Sequence, residues 1–212
     1  LSETVKWLSD PTVGAVSCLK NPIGSEITEI ERTYREYYNV IRVCESKAWA
    51  TPIFHGELAT FRKELLMKVG GFPEHIGADD SHTATKIAML GYRAIIPDTL
   101  CCEEVAPIRG NYFRWRVRRA QHLVQHFAKI RYIGLKANNK FTNILLFESY
   151  LHLVNPWILL VAALLLAASH AMFHSLLSLT FLVVGLMSLS MKPYRMWIAQ
   201  QIHLMVAVLE TP

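Results

Sequence analysis

The chain has 212 residues, of which 52% are hydrophobic and only 18% are charged. Soluble domains usually carry about 25% charged residues, so this composition excludes a chain whose whole surface faces water. The formal net charge is +5, and the four cysteines show neither a CxxC pair nor zinc-ligand spacing, so we expect reduced thiols in a cytosolic compartment.

Helical and strand patterns alternate through the first half of the chain. Apolar periodicity and turn residues predict helices at 1–8, 27–48, 63–69 and 83–90, and strands at 13–19, 52–62, 92–97 and 100–106. Such alternation is typical of an α/β layered domain.

The helix at 27–48 is predicted from an apolar stripe whose members recur at spacings of three and four residues. They are Ile27, Ile30, Tyr34, Tyr37, Ile41, Cys44 and Ala48. We expect this face to pack on the domain, and we expect Glu31 and Arg35 to form an i,i+4 pair on the outer face.

The next helix, predicted at 109–131, is amphipathic and basic. Its apolar face consists of Phe113, Val117, Ala120, Val124 and Phe127. No acidic residue lies between Val105 and Phe147. Such a basic segment favours an anionic membrane surface or a phosphate-bearing ligand. Nucleic acid is the weaker interpretation, because the segment adjoins an apolar region.

That apolar region contains no Asp, Glu, Lys or Arg from Ser149 to Met191. A membrane span needs roughly 20 apolar residues, so we predict transmembrane helices at 145–168 and 172–191. The stretch 197–209 is either a third span or an interfacial helix. Basic residues just before a span mark its cytoplasmic side. We therefore expect an integral membrane protein whose catalytic portion is cytoplasmic and whose partners include membrane lipid.

The candidate chemistry lies in an acidic pair, Asp79-Asp80, at a loop-to-helix junction, followed some thirty residues later by an arginine cluster. The pair could simply stabilise the helix N-terminus. Together with the arginines it suggests a different function, in which one carboxylate takes a proton while guanidinium groups hold phosphate. Gly56, inside a predicted strand beside His55, is typical of a close approach by backbone or ligand.

The order of these features resembles the second half of a family 2 glycosyltransferase of the membrane-integrated type, related to cellulose and hyaluronan synthases. The matching positions are Gly56, Phe61-Arg62, Gly70-Gly71-Phe72, Asp79-Asp80, Gly91-Tyr92, Pro97, Glu104, Pro107 and the Arg/Trp cluster. The resemblance implies the C-terminal half of a GT-A-like nucleotide-sugar transferase domain followed by transmembrane helices. We expect a partial catalytic domain at 1–108, a basic interface helix and linker at 109–140, and membrane helices at 141–212.

The resemblance also implies roles for single residues. Asp80 matches the catalytic base and Asp79 the acid that supports it. The remaining candidates bind substrate: Arg114, Arg118 and Arg119 at the diphosphate, Trp115 or Tyr112 against the sugar, and Gly56 and His55 nearby. No residue of this chain is predicted as a metal ligand.

The family's Asp-x-Asp, which holds Mg²⁺ or Mn²⁺ with the diphosphate, does not occur here. We therefore expect the metal in the full-length enzyme, with ligands mostly outside this chain. We expect an inverting glycosyltransferase that moves a sugar from a nucleotide-sugar donor to a lipid-linked or glycan acceptor. On this interpretation the chain lacks the nucleotide-binding half and is inactive alone.

Two other functions are compatible with parts of the pattern. A metal-dependent hydrolase would use His75, Asp79, Asp80 and His82. A non-catalytic membrane adaptor would bind anionic lipid through 109–140, without a use for the acidic pair.

Overall fold

The computed structural model describes residues 2–24, 27–105, 107, 109–134 and 140–210. Its elements are α1 Ser2–Leu8, β1 Val13–Ser17, β2 Leu19–Ile23, α2 Glu29–Ala48, β3 Ala59–Phe61, α3 Lys63–Lys68, α4 Asp79–Met89, β4 Arg93–Ile95, β5 Cys101–Val105, α5 Arg109–Gly134, α6 Lys140–Leu153, α7 Asn155–Phe173, α8 Leu176–Ser188 and α9 Lys192–Glu210. Strands and helices are interspersed up to β5, which confirms the mixed α/β class.

β1 is the centre of a three-stranded sheet in the order β3-β1-β4, antiparallel to β3 and parallel to β4. All of its residues are buried. Gly14 within β1 allows helices to approach closely, because a Cβ there would lie 2.6 Å from Ile87 and 2.8 Å from Leu65. A second, parallel pair joins β2 to β5, a strand pairing that the sequence pattern does not predict.

The strand predicted at 52–62 is wrong over most of its length, since only Ala59–Phe61 is extended and paired. Upstream of β3 the backbone bonds to serine side chains instead of a neighbouring strand. The amide of Phe54 donates to the Ser81 hydroxyl at 3.0 Å, and the amide of His55 donates to the Ser17 hydroxyl at 3.0 Å. This loop borders the site described below.

The buried face of α2 is not the predicted apolar stripe. Tyr37 and Ile41 are 46% and 39% exposed, whereas Arg42 is 1% exposed. The Glu31–Arg35 pair forms at 2.9 Å but is buried, contrary to the prediction. Charged side chains occupy the interior because other elements bring charges of opposite sign to meet them.

The main core lies between the sheet and α4, α5 and α6. Its fully buried members include Ala15, Ile87, Phe127, Ile130 and Phe141. The predicted apolar face of α5 is confirmed except at its start, where Phe113 is 52% exposed. A second cluster packs α9 against α5 through Leu204 and Ala207.

The span predicted at 145–168 is not one helix, because α6 ends at Leu153 and packs into the core through Phe141 and Leu145. Among the described residues, α7 is the single helix long and apolar enough to cross a membrane. The next two helices, α8 and α9, meet that test only as a pair bent by 102°. The domain boundaries at 108 and 140 stay predictions.

Candidate active site

The acidic pair opens α4 and is fixed by the residue that follows it. Asp80 Oδ1 accepts a hydrogen bond from the Ser81 amide at 2.7 Å. The Ser81 hydroxyl in turn donates to the Phe54 carbonyl at 3.3 Å and accepts from the Phe54 amide. These bonds hold the start of the helix against the loop that precedes β3.

The Asp80 carboxyl has the electrostatics of a general base. Burial raises its pKa to about 6, and repulsion from Asp79 adds to the rise, while the hydrogen bond from the Ser81 amide opposes it. Such a group is mostly ionised at neutral pH, yet it takes up a proton more readily than an exposed aspartate. Asp80 can therefore accept a proton from a hydroxyl brought beside it.

A cavity of about 480 Å³ adjoins this pair, which is within the usual range for small-molecule sites. Its walls come from the loops around 53–57 and 77–79 and from α2, α4, β5, α5 and α9. The predicted site residues that line it are His55, Gly56, Asp79, Asp80, Trp115, Arg118 and Arg119. The structure thus brings most of the predicted set together, and the assigned roles stay predictions.

Gly56 and His55 lie on the loop that lines the cavity beside the acidic pair. A Cβ on Gly56 would lie 3.4 Å from Asp80 Oδ2, so the Gly56 backbone runs close beside the carboxylate. Burial and the nearby cations Lys20 and Arg35 hold the pKa of His55 well below its usual value. A neutral imidazole can exchange hydrogen bonds with hydroxyls but does not supply positive charge to a phosphate.

Two predicted substrate-binding residues do not reach the cavity. Arg114 is exposed and is not among the lining residues. Tyr112 donates its hydroxyl to Glu31 Oε2 at 2.8 Å, so this side chain ties α5 to α2. Of the predicted arginines, Arg118 and Arg119 line the cavity, and Trp115, about one helical turn before Arg118, places its ring there as well.

The arginines that line the cavity differ in whether carboxylates already pair with them. Four of them form ion pairs in the described part of the chain: Arg35, Arg42, Arg116 and Arg119. Within the same residues Arg118 forms no such pair, and it is exposed. Arg118 is therefore the guanidinium best placed to meet an anionic ligand.

Glu104 organises the cations on one wall, a role that the sequence did not reveal. Its carboxylate pairs with Lys20 at 2.9 Å and also with Arg35 and Arg119. Burial alone would raise the pKa of Glu104, but the three cations outweigh it and lower the pKa to about 2. Lys20 is itself buried and also pairs with Glu57 at 2.7 Å. This charge cluster joins β2, α2 and α5 to β5.

His122 is a second cavity residue that the sequence analysis missed. It lies one turn after Arg118 on α5, and that i,i+4 spacing was the available signal. A Cβ on Gly77 would lie 2.3 Å from His122 Cδ2, so the loop before the acidic pair passes directly over the imidazole. The Gly77 amide also approaches Gln125 Oε1 at 3.5 Å. This loop is therefore seated on α5.

The described residues contain no group of three or more His, Cys, Asp or Glu side chains that could hold a metal ion. The four residues of the hydrolase alternative, His75, Asp79, Asp80 and His82, therefore do not form such a group. His82 packs instead edge-on against His126, at 5.7 Å between ring centroids. The residues described here do not form a complete site for the divalent metal that the family resemblance implies.

Comparisons with known proteins place this chain in a family. A family model described as Glycosyl transferase family group 2 matches residues 1–209. Among solved structures, a mannosyltransferase, PcManGT from Pyrobaculum calidifontis, in complex with GDP-Man and Mn²⁺, matches with a TM-score of 0.83 and 56% sequence identity. The match covers 98% of this chain and 56% of that chain, so this chain spans about half of that protein's length. The comparison with curated proteins found no match.

These matches confirm the predicted family and a fold of the GT-A type. The expectation of Mg²⁺ or Mn²⁺ agrees with the Mn²⁺ in that mannosyltransferase. The function prediction is wrong in the form given above, as an inactive piece without a nucleotide-binding half. The family model matches residues 1–209, and the match to the mannosyltransferase covers 98% of this chain. Neither match is confined to one end of this chain. The adaptor alternative is withdrawn with it.

Proposed function

Because the chain belongs to glycosyl transferase family group 2, we propose that it transfers a mannosyl group from GDP-mannose to an acceptor hydroxyl. The choice of donor is supported by the mannosyltransferase at 56% identity, whose structure contains GDP-Man. The observation that carries the proposal is Asp80, a carboxyl with a pKa of about 6 in a cavity that Arg118 also lines.

In the proposed reaction Asp80 takes the proton of the acceptor hydroxyl. The acceptor oxygen forms a bond to the anomeric carbon of mannose, and the bond from that carbon to the diphosphate oxygen breaks. The departing GDP carries the electron pair, and the charge that develops on its diphosphate faces Arg118. Asp79 keeps the Asp80 carboxyl basic through repulsion.

Trp115 supplies an aromatic surface for a sugar. Its ring lies 4.7 Å from the Arg119 guanidinium, and Arg119 is held by Glu104. The indole is therefore fixed by a partner that does not depend on substrate. We propose that the transfer requires a divalent cation, as the Mn²⁺ in the related structure suggests. The residues described here carry out base catalysis and diphosphate binding.

We also propose that α7 and α8 attach the protein to a membrane, with the catalytic portion on the cytoplasmic side. Both helices lack charged residues and turn large apolar side chains outward, such as Leu165 and Leu177. The exposed free thiols of Cys44 and Cys101 lie on the catalytic portion and allow a direct test. A membrane-impermeant maleimide should label them in inside-out vesicles and not in intact cells.

The enzymatic proposal is tested by release of GDP from GDP-mannose with Mn²⁺ and a panel of mannoside and polyprenyl-linked acceptors. Asp80→Asn should abolish transfer while the protein remains folded. Asp98→Asn is the matched control, since Asp98 is exposed and pairs only with exposed Lys47 among the described residues. Equal transfer by wild type and Asp80→Asn would refute the assignment of the base.

A further inference from the structure

A buried arginine of α2, Arg42, is shared by two carboxyl groups from different helices. Its guanidinium pairs with Glu45, about one turn later on α2, at 2.8 Å and with Glu148 on α6 at 2.7 Å. All three side chains are buried, and we call them the carboxyl cluster. Arg42 also lines the cavity, whereas neither glutamate is among the lining residues. The proposed sugar transfer gives the two glutamates no role.

The carboxyl cluster would hold two negative charges and one positive charge if both glutamates were ionised. The other titratable groups that face it among the described residues are neutral near pH 7. Burial lowers the pKa of His152 on α6 and raises that of Tyr38 on α2. Burial also lowers the pKa of His126 on α5, which faces His152, to about 3. An uncompensated charge in the interior is costly, and a carboxyl group avoids this cost by keeping its proton.

The hydrogen bonds of the cluster indicate where this proton lies. Glu148 Oε1 accepts from Arg42, but Glu148 Oε2 is buried and has no hydrogen-bond partner among the described residues. His152 Nδ1 lies 3.3 Å from that oxygen and meets the Glu148 backbone carbonyl at 2.8 Å instead. Glu45 binds Arg42 and the Thr51 hydroxyl through Oε2, at 2.8 Å each, which leaves Oε1 to carry a proton. The two carboxyl groups lie within hydrogen-bonding reach of each other, so a proton on Glu45 supplies the donor that Glu148 Oε2 lacks.

The pKa values of the two glutamates move in opposite directions, as expected when one proton is shared. Burial raises the pKa of Glu45 to about 8, with Arg42 opposing the rise and Glu148 adding to it. Burial would raise the pKa of Glu148 as well, but Arg42 and His152 outweigh it and lower that pKa. At neutral pH Glu45 is therefore protonated and Glu148 is ionised, and the carboxyl cluster is electrically neutral.

We propose that Glu45 and Glu148 share one proton across the Arg42 guanidinium, and that this proton fastens α6 to α2. The joint connects two functional parts of the protein, because α6 ends at Leu153 and the apolar helix α7 begins at Asn155, while α2 forms part of the cavity wall. Loss of the proton leaves two carboxylates in competition for one guanidinium. The joint between α6 and the cavity wall therefore weakens at alkaline pH. This inference does not depend on the proposed sugar transfer.

Infrared spectroscopy of the full-length protein in detergent can detect the shared proton through the carbonyl stretch of a protonated carboxyl group. At about pH 7.5 Asp80 is ionised, because its pKa is about 6. Wild type should therefore show a carboxyl band at that pH that disappears by about pH 9.5. Glu45→Gln should lack the band. Glu148→Gln should lack it too, because Glu45 then pairs with Arg42 alone and ionises.

The control for the infrared experiment is Glu36→Gln, which removes an exposed glutamate of the same helix and should retain the band. Absence of the band from wild type, or its persistence in either Glu45→Gln or Glu148→Gln, would overturn the shared proton. None of these spectra requires turnover of a substrate, so the result is independent of the proposed function.

The pH dependence of unfolding tests the joint itself. A carboxyl group whose pKa rises on folding stabilises the protein fully below its unfolded pKa, and this stabilisation is lost as pH rises through the folded value. The unfolding equilibrium constant of wild type should therefore increase about tenfold between about pH 7 and pH 9, and much less in Glu45→Gln. Hydrogen exchange of the α6 amides, corrected for the intrinsic effect of pH, should quicken over the same range in wild type alone. The same pH dependence in both proteins would refute the joint.

Discussion

Replacing Gly77 by alanine tests whether the loop before the acidic pair is seated on α5 as described. The new Cβ would lie 2.3, 2.5 and 2.6 Å from the Cδ2, Nε2 and Cγ atoms of His122. Ordinary contacts between such atoms are about 3.5 to 4.0 Å, so the whole ring must move or the loop must lift. Overpacking of this kind costs about 1–3 kcal/mol, and the exposure of Gly77 puts the expected cost near 1 kcal/mol.

The effect on catalysis should exceed the effect on stability. Asp79 and Asp80 lie two and three residues after Gly77, so a lifted loop displaces the proposed base. A misplacement of about 1 Å can lower the rate about 100-fold. We therefore expect Gly77→Ala to reduce kcat for mannosyl transfer by ten- to a hundredfold, with little change in the KM for GDP-mannose.

The contact between the Gly77 loop and the His122 imidazole is tested by comparing four proteins: wild type, Gly77→Ala, His122→Ala and the double variant. Removing the His122 ring makes room for the alanine, so the double variant should recover most of the lost kcat and melting temperature. Urea unfolding and initial rates give the interaction free energy between the two positions. If the double variant shows the simple sum of the two single effects, the proposed contact between loop and imidazole is refuted.

Further predictions concern three charged residues of the cavity, Arg118, Asp80 and Glu104. Arg118→Ala should raise the KM for GDP-mannose at least tenfold. The control is Arg114→Ala, on the same helix but exposed and away from the cavity, which should leave this KM unchanged. Equal effects of the two substitutions would refute the assignment of Arg118 to the diphosphate site. Because burial raises the pKa of Asp80 to about 6, kcat/KM should fall as pH drops below about 6. The ionised form of Asp80 is also unfavourable in the folded state above that pH, so Asp80→Asn should be at least as stable as wild type at pH 7 in urea unfolding. Glu104→Gln should lower the free energy of unfolding by about 3–5 kcal/mol, because it leaves Lys20 buried with reduced compensation. In wild type the lowered pKa of Glu104 means that its contribution is complete above about pH 4.5 and is lost as pH falls toward 2, which urea unfolding across that range can measure.

The local parts of the site could be predicted from sequence. Asp79 and Asp80 lie at the junction where the pattern placed them, and Trp115 and Arg118 share one face of a helix whose periodicity was clear. Gly56 lies close beside Asp80, as the expectation of a close backbone approach suggested, although it lies in a loop and not in the predicted strand. In each case the signal is a residue type at a local turn or a helical repeat.

The long-range parts could not be predicted in this way. The apolar repeat of α2 placed Tyr37 and Ile41 inside, but the buried positions include Arg35 and Arg42. An arginine is stable in the interior only with its partners present, and those of Arg42 include Glu148, more than a hundred residues away. A periodicity that counts only apolar residues cannot detect this compensation.

The buried charges also explain how distant elements are held in register around the cavity. Glu104 on β5 joins Lys20 on β2, Arg35 on α2 and Arg119 on α5. Apolar side chains in these places could give equal stability, but their contacts would tolerate sliding, whereas ion pairs require particular atoms to meet. A small slide of α5 would move Arg118 relative to Asp80 on α4, and in the proposed reaction these two groups act on the same reacting bond. On this argument the loss of Glu104 should reduce kcat beyond what the loss of folded protein explains.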